Sequence, residues 1–221
     1  MLRLLVDGEP DINFGNVDIG RARVHFDVTG QTCADDELSA IALHHSPTFP
    51  ATDRILLAGS ACRFDGNIDF GIARLFVDGT LDTTFAEAGR RMVAFDVNDG
   101  PSDRAAAMAF QHPSGFQLAS PSHVVVVGTA RRSALANHDV AITRLVLSDG
   151  SLDPTFGTGG KWVVALELGG PNSEFAKGLV TDATRLTVAA TISRTTNLGA
   201  DRDVAAIRLI ADVSLFRNGF E

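Results

Sequence analysis

The chain has 221 residues, 45% of them hydrophobic and 21% charged, which is typical of a globular protein with a sizeable core. Its formal net charge is −8 and no basic run is longer than two residues, so we expect no nucleic-acid partner. No apolar segment approaches the roughly 20 residues of a membrane-spanning helix, and Met1–Val6 is too short for the core of a signal peptide.

The chain is a tandem repeat with a period of about 70 residues. The segment Arg74–Phe85 (RLFVDGTLDTTF) returns as Arg144–Phe156 (RLVLSDGSLDPTF), and Arg3–Phe14 opens the chain with the same order of Arg, Leu, Asp-Gly, Asp and Phe. A weaker copy begins at Arg208. The phenylalanines of the three clear copies are 71 positions apart each time. We therefore predict that equivalent residues occupy equivalent places in successive units of the fold.

Each period contains four short apolar runs separated by Gly, Pro, Asp, Asn and Ser, which predicts four antiparallel strands per repeat. An orphan strand, Leu2–Val6, precedes the first set. In chain order the other predicted strands are Ala22–Phe26, Leu38–Leu43, Arg54–Gly59, Phe70–Phe76, Arg91–Phe95, Ala105–Phe110, His123–Thr129, Val140–Val146, Lys161–Leu166, Phe175–Val180, Arg185–Thr191 and Val204–Ile210.

Four-stranded antiparallel units in tandem are typical of the blades of a β-propeller. The sequence predicts one all-β, β-propeller-type repeat domain over residues 1–221, with three four-stranded blades and the orphan strand. The blades are predicted at about 16–76, 86–147 and 157–211, between a partial preceding repeat at 1–15 and a tail at 212–221. A solenoid with four strands per coil is the alternative.

Three blades are fewer than the roughly four to eight of most propellers, and they leave two open apolar flanks. Three interpretations stay open. The chain is the C-terminal piece of a longer protein, or two copies complete one ring or sandwich, or the three blades close a small strained ring. Self-association that covers the open blade edges is therefore one expected interaction.

The recurring polar residues are interpreted as structural. Asp82 and Asp153 are expected to accept backbone hydrogen bonds in tight turns. Arg74 and Arg144 are expected to pair with an aspartate or to span a blade edge, and the recurring phenylalanines to pack between blades.

One loop carries the oxygen-ligand spacing of a calcium site. Asp65, Asn67 and Asp69 follow the D-x-N-x-D pattern, but Phe70 and Phe76 stand where an EF-hand needs glycine and an acidic residue. A looser calcium loop is therefore the candidate metal site, and a solvated loop is the alternative. Further acidic residues are expected on the same face, which favours weak calcium binding there: Asp35, Asp36, Glu37, Asp96, Asp99 and Asp103.

The two cysteines are a disulfide candidate. Cys33 lies just before the second strand of blade one and Cys62 just after the third, and these strand ends are neighbours in an antiparallel hairpin. A Cys33–Cys62 disulfide would favour an exported protein. Two reduced thiols are the alternative.

At the D-G-x-L-D-x-x-F pattern of Asp78–Phe85 and Asp149–Phe156 the chain resembles the bacterial delta-60 repeat family. The segments 69–75 (DFGIARL) and 139–145 (DVAITRL) fit as well, and the resemblance covers essentially the whole chain. It implies a β-propeller-like fold in large proteins that are often exported or at the cell surface, without a defined activity. The second copy departs from the pattern at Glu87-Ala88, where a glycine-rich turn is usual.

These observations predict a noncatalytic structural or interaction module of an exported bacterial β-propeller-like repeat protein, with a protein or carbohydrate bound through the blade loops. The expected location is extracellular or at the cell surface, and a cytoplasmic one stays open. The alternative is an enzyme or a metal- or ligand-binding propeller whose central channel is lined by Asp69, Asp139 and Asp203. No nucleophile, base and orienting partner are recognised together, so no catalytic residue and no cofactor besides calcium is assigned.

Overall fold

The computed structural model describes residues 1–15, 17–26, 36–46, 52–63, 65–100, 102–112, 121–132, 137–166, 173–182, 184–193 and 202–210. Within these ranges the regular structure consists of eleven β-strands and one 3-10 helix, Val97–Asp99. The prediction of an all-β fold is therefore confirmed. The same ranges contain no helix with the length and apolar character that crossing a bilayer requires.

The strands form three antiparallel sheets in which neighbours in sequence are neighbours in space. The first sheet contains β1 (Glu37–His44), β2 (Arg54–Cys62), β3 (Ile68–Phe76) and β4 (Arg90–Val93). The second contains β5 (Asp103–Gln111), β6 (His123–Arg132), β7 (Asn137–Val146) and β8 (Lys161–Val164). The third contains β9 (Ser173–Thr181), β10 (Arg185–Ser193) and β11 (Arg202–Ile210).

Successive sheets pack face to face, and this explains why the inner strands are apolar on both faces. In β6, Val124 and Val126 lie in the core shared with the first sheet, whereas Val125 and Val127 lie in the core shared with the third. The alternation follows from the two-residue period of a strand. A third core lies between the first sheet and the N-terminal segment, where Leu75 packs near Met1 and Phe26.

The recurring phenylalanines occupy equivalent buried places, as the repeat predicts. Phe14, Phe85 and Phe156 are 3%, 0% and 1% exposed. The arginine that opens each repeat lies over the ring, with 4.4, 4.7 and 4.9 Å between the guanidinium carbon and the ring centroid. The first two rings also pack against the Asp-Gly turn of the following repeat, at Gly79 and Gly150.

The sheets begin one strand later than the predicted blades. The run Arg91–Phe95 was predicted to open the second blade, but β4 pairs with β3 at the edge of the first sheet. β8 pairs with β7 in the same way. A tandem repeat has the same period in every frame, so the periodicity cannot tell where a sheet begins. The position of the sheet boundary depends on the turns after β3, because they return the chain antiparallel to that strand. The returning chain is joined to β3 by the hydrogen bond that Arg74 N donates to Gly89 O, at 3.0 Å.

Two predicted strands lack a regular ladder. Leu2–Val6 forms only isolated bridges at Leu2 and Leu4, and Ala22–Phe26 is not assigned as a strand. The two segments still run side by side, since Ala22 N donates to Met1 O at 3.0 Å. Leu4 is 50% exposed, whereas Leu75 at the equivalent position is fully buried. The difference arises because β3 has β2 beside it.

Candidate functional site

The recurring arginine and aspartate form an ion pair in each of the three clear copies of the repeat, and the pair is buried in the second and third copies. In the first sheet, Arg74 Nε donates to Asp82 Oδ2 at 2.9 Å. Asp82 Oδ1 accepts hydrogen bonds from the backbone N and the hydroxyl of Thr84, at 3.2 and 2.6 Å. The aspartate thus closes the turn and orients the arginine, which agrees with the structural interpretation of both residues.

The same arginine also reaches into the next repeat. Arg74 donates to the carbonyls of Leu147 and Ser148 at the end of β7. Arg3 makes the equivalent hydrogen bond from the N-terminal segment to Val77 O, just after β3. The guanidinium groups of Arg3 and Arg74 therefore join a turn of their own repeat to the backbone of the following one. Arg144 instead donates to Gln111 Oε1 of β5, within its own sheet.

A second basic side chain approaches each of the buried aspartates. Arg54 Nε lies 2.7 Å from Asp82 Oδ2, and His123 Nε2 lies 3.2 Å from Asp153 Oδ2. Burial by itself would raise the pKa of Asp82, but hydrogen bonds from Thr84 and Arg54 and the charge of Arg74 outweigh it and hold that pKa below its usual value. Asp82 is therefore ionised around neutral pH.

The predicted calcium loop does not present its three residues alike. Asp65 Oδ1 accepts the backbone N–H of Asn67 at 3.0 Å, and the two side chains are in contact at 3.4 Å. This is the local turn expected for Asp and Asn in a loop. Asp69 instead is the second residue of β3 and is buried. Among the described residues, Asp69 forms an ion pair with Arg63, whose Nη1 lies 3.5 Å from Asp69 Oδ2.

Asp69 lies next to two aspartates from the following segment. Asp96 comes just before the 3-10 helix, and Asp103 is the first residue of β5. One carboxylate oxygen of each of these three residues lies within 4.8 Å of the others. We call this set the acidic cluster. Sequence reasoning placed Asp96 and Asp103 on the same face but did not group them with Asp69, because the grouping depends on the packing of two sheets.

Burial and mutual repulsion raise the pKa values of Asp69 and Asp103. Burial raises the pKa of Asp69 to about 6, against the opposing charge of Arg63. Burial likewise raises the pKa of Asp103 to about 6, although the backbone N–H groups of Phe95 and Asp96 stabilise its anion. The charges of the neighbouring aspartates add to both shifts. Among the described residues, the three carboxylates thus share a site with less positive than negative charge.

Other acidic residues of this face have different roles. Asp36 accepts hydrogen bonds from the backbone N of Phe26 and of Cys62, at 3.1 and 3.3 Å. Glu37 is exposed and lies 3.3 Å from Arg104. Asp35 and the side chain of Asp99 lie outside the described residues.

The repeated acidic positions Asp69, Asp139 and Asp203 are not grouped as a channel site. Among the described residues, the only set of three such side chains close enough to share a metal is the acidic cluster, which includes Asp69 alone of the three. Asp139 is buried and paired with Arg132, at 2.9 and 2.7 Å. Asp203 is the second residue of β11 and is partly exposed.

The cysteine pair is only partly described. Cys62 is buried at the end of β2, and no free thiol occurs in the described ranges. Cys33 lies outside the described residues. The Cys33–Cys62 disulfide therefore stays a prediction.

One segment of the chain matches the model of a known protein family. A family model described as a domain of unknown function (DUF5122) beta-propeller matches residues 51–85, a segment that contains β2, β3 and the turn up to Phe85. No curated protein and no solved structure matches the chain. The delta-60 resemblance rests on the sequence motif alone. Over residues 51–85 the chain is similar to a β-propeller-type repeat family of unknown function, in agreement with its three stacked antiparallel sheets.

Proposed function

We propose that this chain is a noncatalytic structural or interaction module of an exported bacterial β-propeller-like repeat protein, which binds a protein or carbohydrate through its blade loops. The observation that carries the proposal is the hydrogen bond from Arg74 to Leu147 O, with its counterpart from Arg3 to Val77 O. The recurring charged residues stabilise the frame, which leaves the loops to carry specificity.

The loops at one end of the sheets differ from repeat to repeat, as recognition loops do. The β2–β3 connection of the first sheet carries Arg63 and Asp65, both more than 40% exposed at the side chain. At the other end, the Asp-Gly turns recur almost unchanged and pack between repeats. We therefore expect the partner at the end that carries Arg63 and Asp65.

The test is a binding screen of the purified chain on arrays of bacterial oligosaccharides and of bacterial surface proteins. The double variant Arg63→Ala, Asp65→Ala is expected to bind the protein or oligosaccharide found in the screen about tenfold or more weakly, because hot-spot side chains dominate an interface. Glu87→Ala changes an exposed carboxylate at the opposite end and serves as the matched control. Equal binding by both variants, or turnover of a retained carbohydrate, would contradict the proposal.

We also propose that a second copy of the chain covers the N-terminal segment. Leu2 and Leu4 are about half exposed, whereas Ala73 and Leu75 at the equivalent positions are fully buried beside β2. In the first sheet, β2 is the strand that covers these positions. A strand of the same repeat type from a second copy is therefore expected to cover Leu2 and Leu4. Light scattering after size exclusion is expected to give twice the 23.4 kDa chain mass. Leu4→Asp is expected to give the monomer, and a monomeric unmodified chain would contradict self-association.

A further inference from the structure

We infer that Asp69, Asp96 and Asp103 form a binding site for a calcium-type divalent cation at the junction of the first and second sheets. The three carboxylates come from β3, from the connection after β4 and from the start of β5. One oxygen of each lies within 4.8 Å of the others, so a single ion placed among them would contact all three. The inference concerns a site other than the Asp65–Asn67 turn.

A buried carboxylate oxygen of Asp103 without a hydrogen-bond partner among the described residues supports a ligand at this position. Asp103 is 1% exposed, and its Oδ2 accepts the backbone N–H of Phe95 at 2.6 Å and, at 3.4 Å, that of Asp96. Its Oδ1 is buried and has no hydrogen-bond partner among the described residues. An unsatisfied buried carboxylate oxygen is costly, and a bound cation would satisfy it.

The next repeat shows how the same position is neutralised without a metal. Two nitrogens of Arg132, Nε and Nη2, lie 2.9 and 2.7 Å from Asp139 Oδ2, so Asp139 has a close ion pair. Arg63 is the equivalent of Arg132, but it lies 3.5 Å from Asp69 and is 42% exposed at the side chain. In the described part of the first repeat, one loosely held arginine therefore faces the three carboxylates of the acidic cluster, and a divalent cation would restore the balance of charge.

The donor set selects the class of ion. All three side chains offer hard carboxylate oxygens, and the cluster has no His or Cys member. Such ligands suit calcium, which takes roughly six to eight oxygens in flexible geometry, better than zinc. Three carboxylates supply at most six oxygens, so backbone carbonyls or water would complete the shell.

The site would connect two sheets. Asp69 belongs to β3 of the first sheet and Asp103 to β5 of the second, and the backbone of their neighbours Ile68 and Ser102 meets in an isolated parallel bridge. A cation held by both carboxylates would cross-link the sheets at the end where the variable loops lie. Binding is therefore expected to stabilise the fold as well as to order this end of the molecule.

The test is calcium titration of the full chain by calorimetry, with the thermal midpoint measured in chelator and in calcium. We expect saturable binding with a dissociation constant between about 10⁻⁵ and 10⁻³ M, and a midpoint that rises with calcium concentration. Asp103→Asn and Asp69→Asn are expected to weaken binding about tenfold or more, because affinity depends on the number of charged ligands. Asp96→Asn tests the same ligand set at an exposed position, where the substitution is expected to leave the fold intact.

Two matched controls separate this site from its alternatives. Asp65→Asn changes the turn of the predicted calcium loop, and Asp139→Asn changes the equivalent strand position in the second sheet. Both are expected to leave the calcium affinity within about twofold, since neither removes a ligand. No calcium heat and no shift of the midpoint at about 20 mM calcium, roughly twenty times the weakest expected dissociation constant, would overturn the inference. A loss on Asp65→Asn as large as on Asp96→Asn would also overturn it.

Discussion

The guanidinium of Arg74 donates a hydrogen bond to the backbone carbonyl of Leu147, 73 positions later in the chain. It also holds Asp82 at 2.9 Å and lies over the ring of Phe85. One side chain thus joins the turn of its own repeat to the sheet of the next. This contact is expected to couple the stability of neighbouring repeats, because disturbing the turn would also remove a hydrogen bond to the following sheet.

Replacing Arg74 by methionine is expected to lower the free energy of unfolding by about 3 kcal/mol, because the change removes one partner of a buried ion pair and leaves a carbonyl unsatisfied. Lysine at the same position is expected to recover only part of the loss, since an ammonium cannot bond several partners in the planar arrangement of a guanidinium. Urea unfolding followed by circular dichroism measures both.

The control is Arg21→Met, at a side chain that is 66% exposed and 3.7 Å from Asp18. An exposed pair of this kind contributes little, so the change is expected to cost less than about 0.5 kcal/mol. Equal losses at Arg21 and Arg74 would show that Arg74 does not connect the sheets.

Gly79 is expected to be intolerant of alanine for two separable reasons. Its φ is +87°, and a Cβ built on it would lie 2.8 Å from the ring of Phe14. Gly8 holds the same position in the first copy of the repeat, with φ +90° and no atom within 4 Å of such a Cβ. Gly8→Ala therefore isolates the backbone cost, about 1–2 kcal/mol. Gly79→Ala adds the cost of overpacking against the Phe14 ring, which is about 1–3 kcal/mol more.

Thermal or urea unfolding of the two alanine variants gives the comparison directly. A Gly79→Ala protein as stable as the Gly8→Ala protein would mean that Phe14 moves aside without cost. It would then follow that the ring is not wedged against the turn of the next repeat.

The spacing of 71 residues was enough to predict the strands of the three sheets and the equivalence of Phe14, Phe85 and Phe156, because each copy folds under the same local and packing rules. It was not enough to place the sheet boundaries. β4 joins the first sheet through turns whose hydrogen bonds, such as the one that Arg74 N donates to Gly89 O, cannot be recognised in a periodic sequence.

The acidic cluster was only half predictable. The D-x-N-x-D spacing identified Asp69, but it grouped that residue with its neighbours in sequence. The structure buries Asp69 in β3 and sets it beside Asp96 and Asp103, which belong to the next repeat unit. Spacing along one loop reports on local geometry, whereas this cluster is a product of sheet packing.

Acid is expected to destabilise the frame through Asp82 and Asp153. Hydrogen bonds and nearby cations outweigh burial and lower both pKa values below the ordinary value of 3.8. A carboxylate with a lowered pKa in the folded state contributes stability that is fully present above its unfolded pKa and is lost as the pH falls through the folded pKa. The free energy of unfolding should therefore fall steeply below about pH 4, where the unfolded chain begins to take up protons first.

Urea unfolding between pH 6 and 2.5, with Asp82→Asn and Asp153→Asn beside the unmodified chain, measures this dependence. Each variant is expected to be less stable at pH 6 and to show a shallower decline below pH 4, because one titrating group has been removed. Identical slopes for the variants and the unmodified chain would assign the acid sensitivity to other carboxylates.

The last prediction concerns Cys33 and Cys62. Asp36 lies three positions after Cys33 and accepts the backbone N–H of Cys62 at 3.3 Å, so the chain beyond Cys33 returns to the end of β2. This proximity supports a disulfide between the two cysteines. The intact mass without reductant is expected to be lighter by two hydrogen atoms, and the denatured protein should resist alkylation until it is reduced.

Reduction of the disulfide is expected to lower the free energy of unfolding by about 3 kcal/mol. In the chain-entropy model, a disulfide that closes a loop of this size stabilises the fold by about that amount. A Cys33→Ser, Cys62→Ser double variant should match the reduced protein and be insensitive to reductant, which separates the disulfide from other effects of the reagent. Two alkylatable thiols in the protein as purified would contradict the pairing. The argument for an exported protein would then lose its one chemical support, since an oxidised pair is typical of compartments outside the cytoplasm.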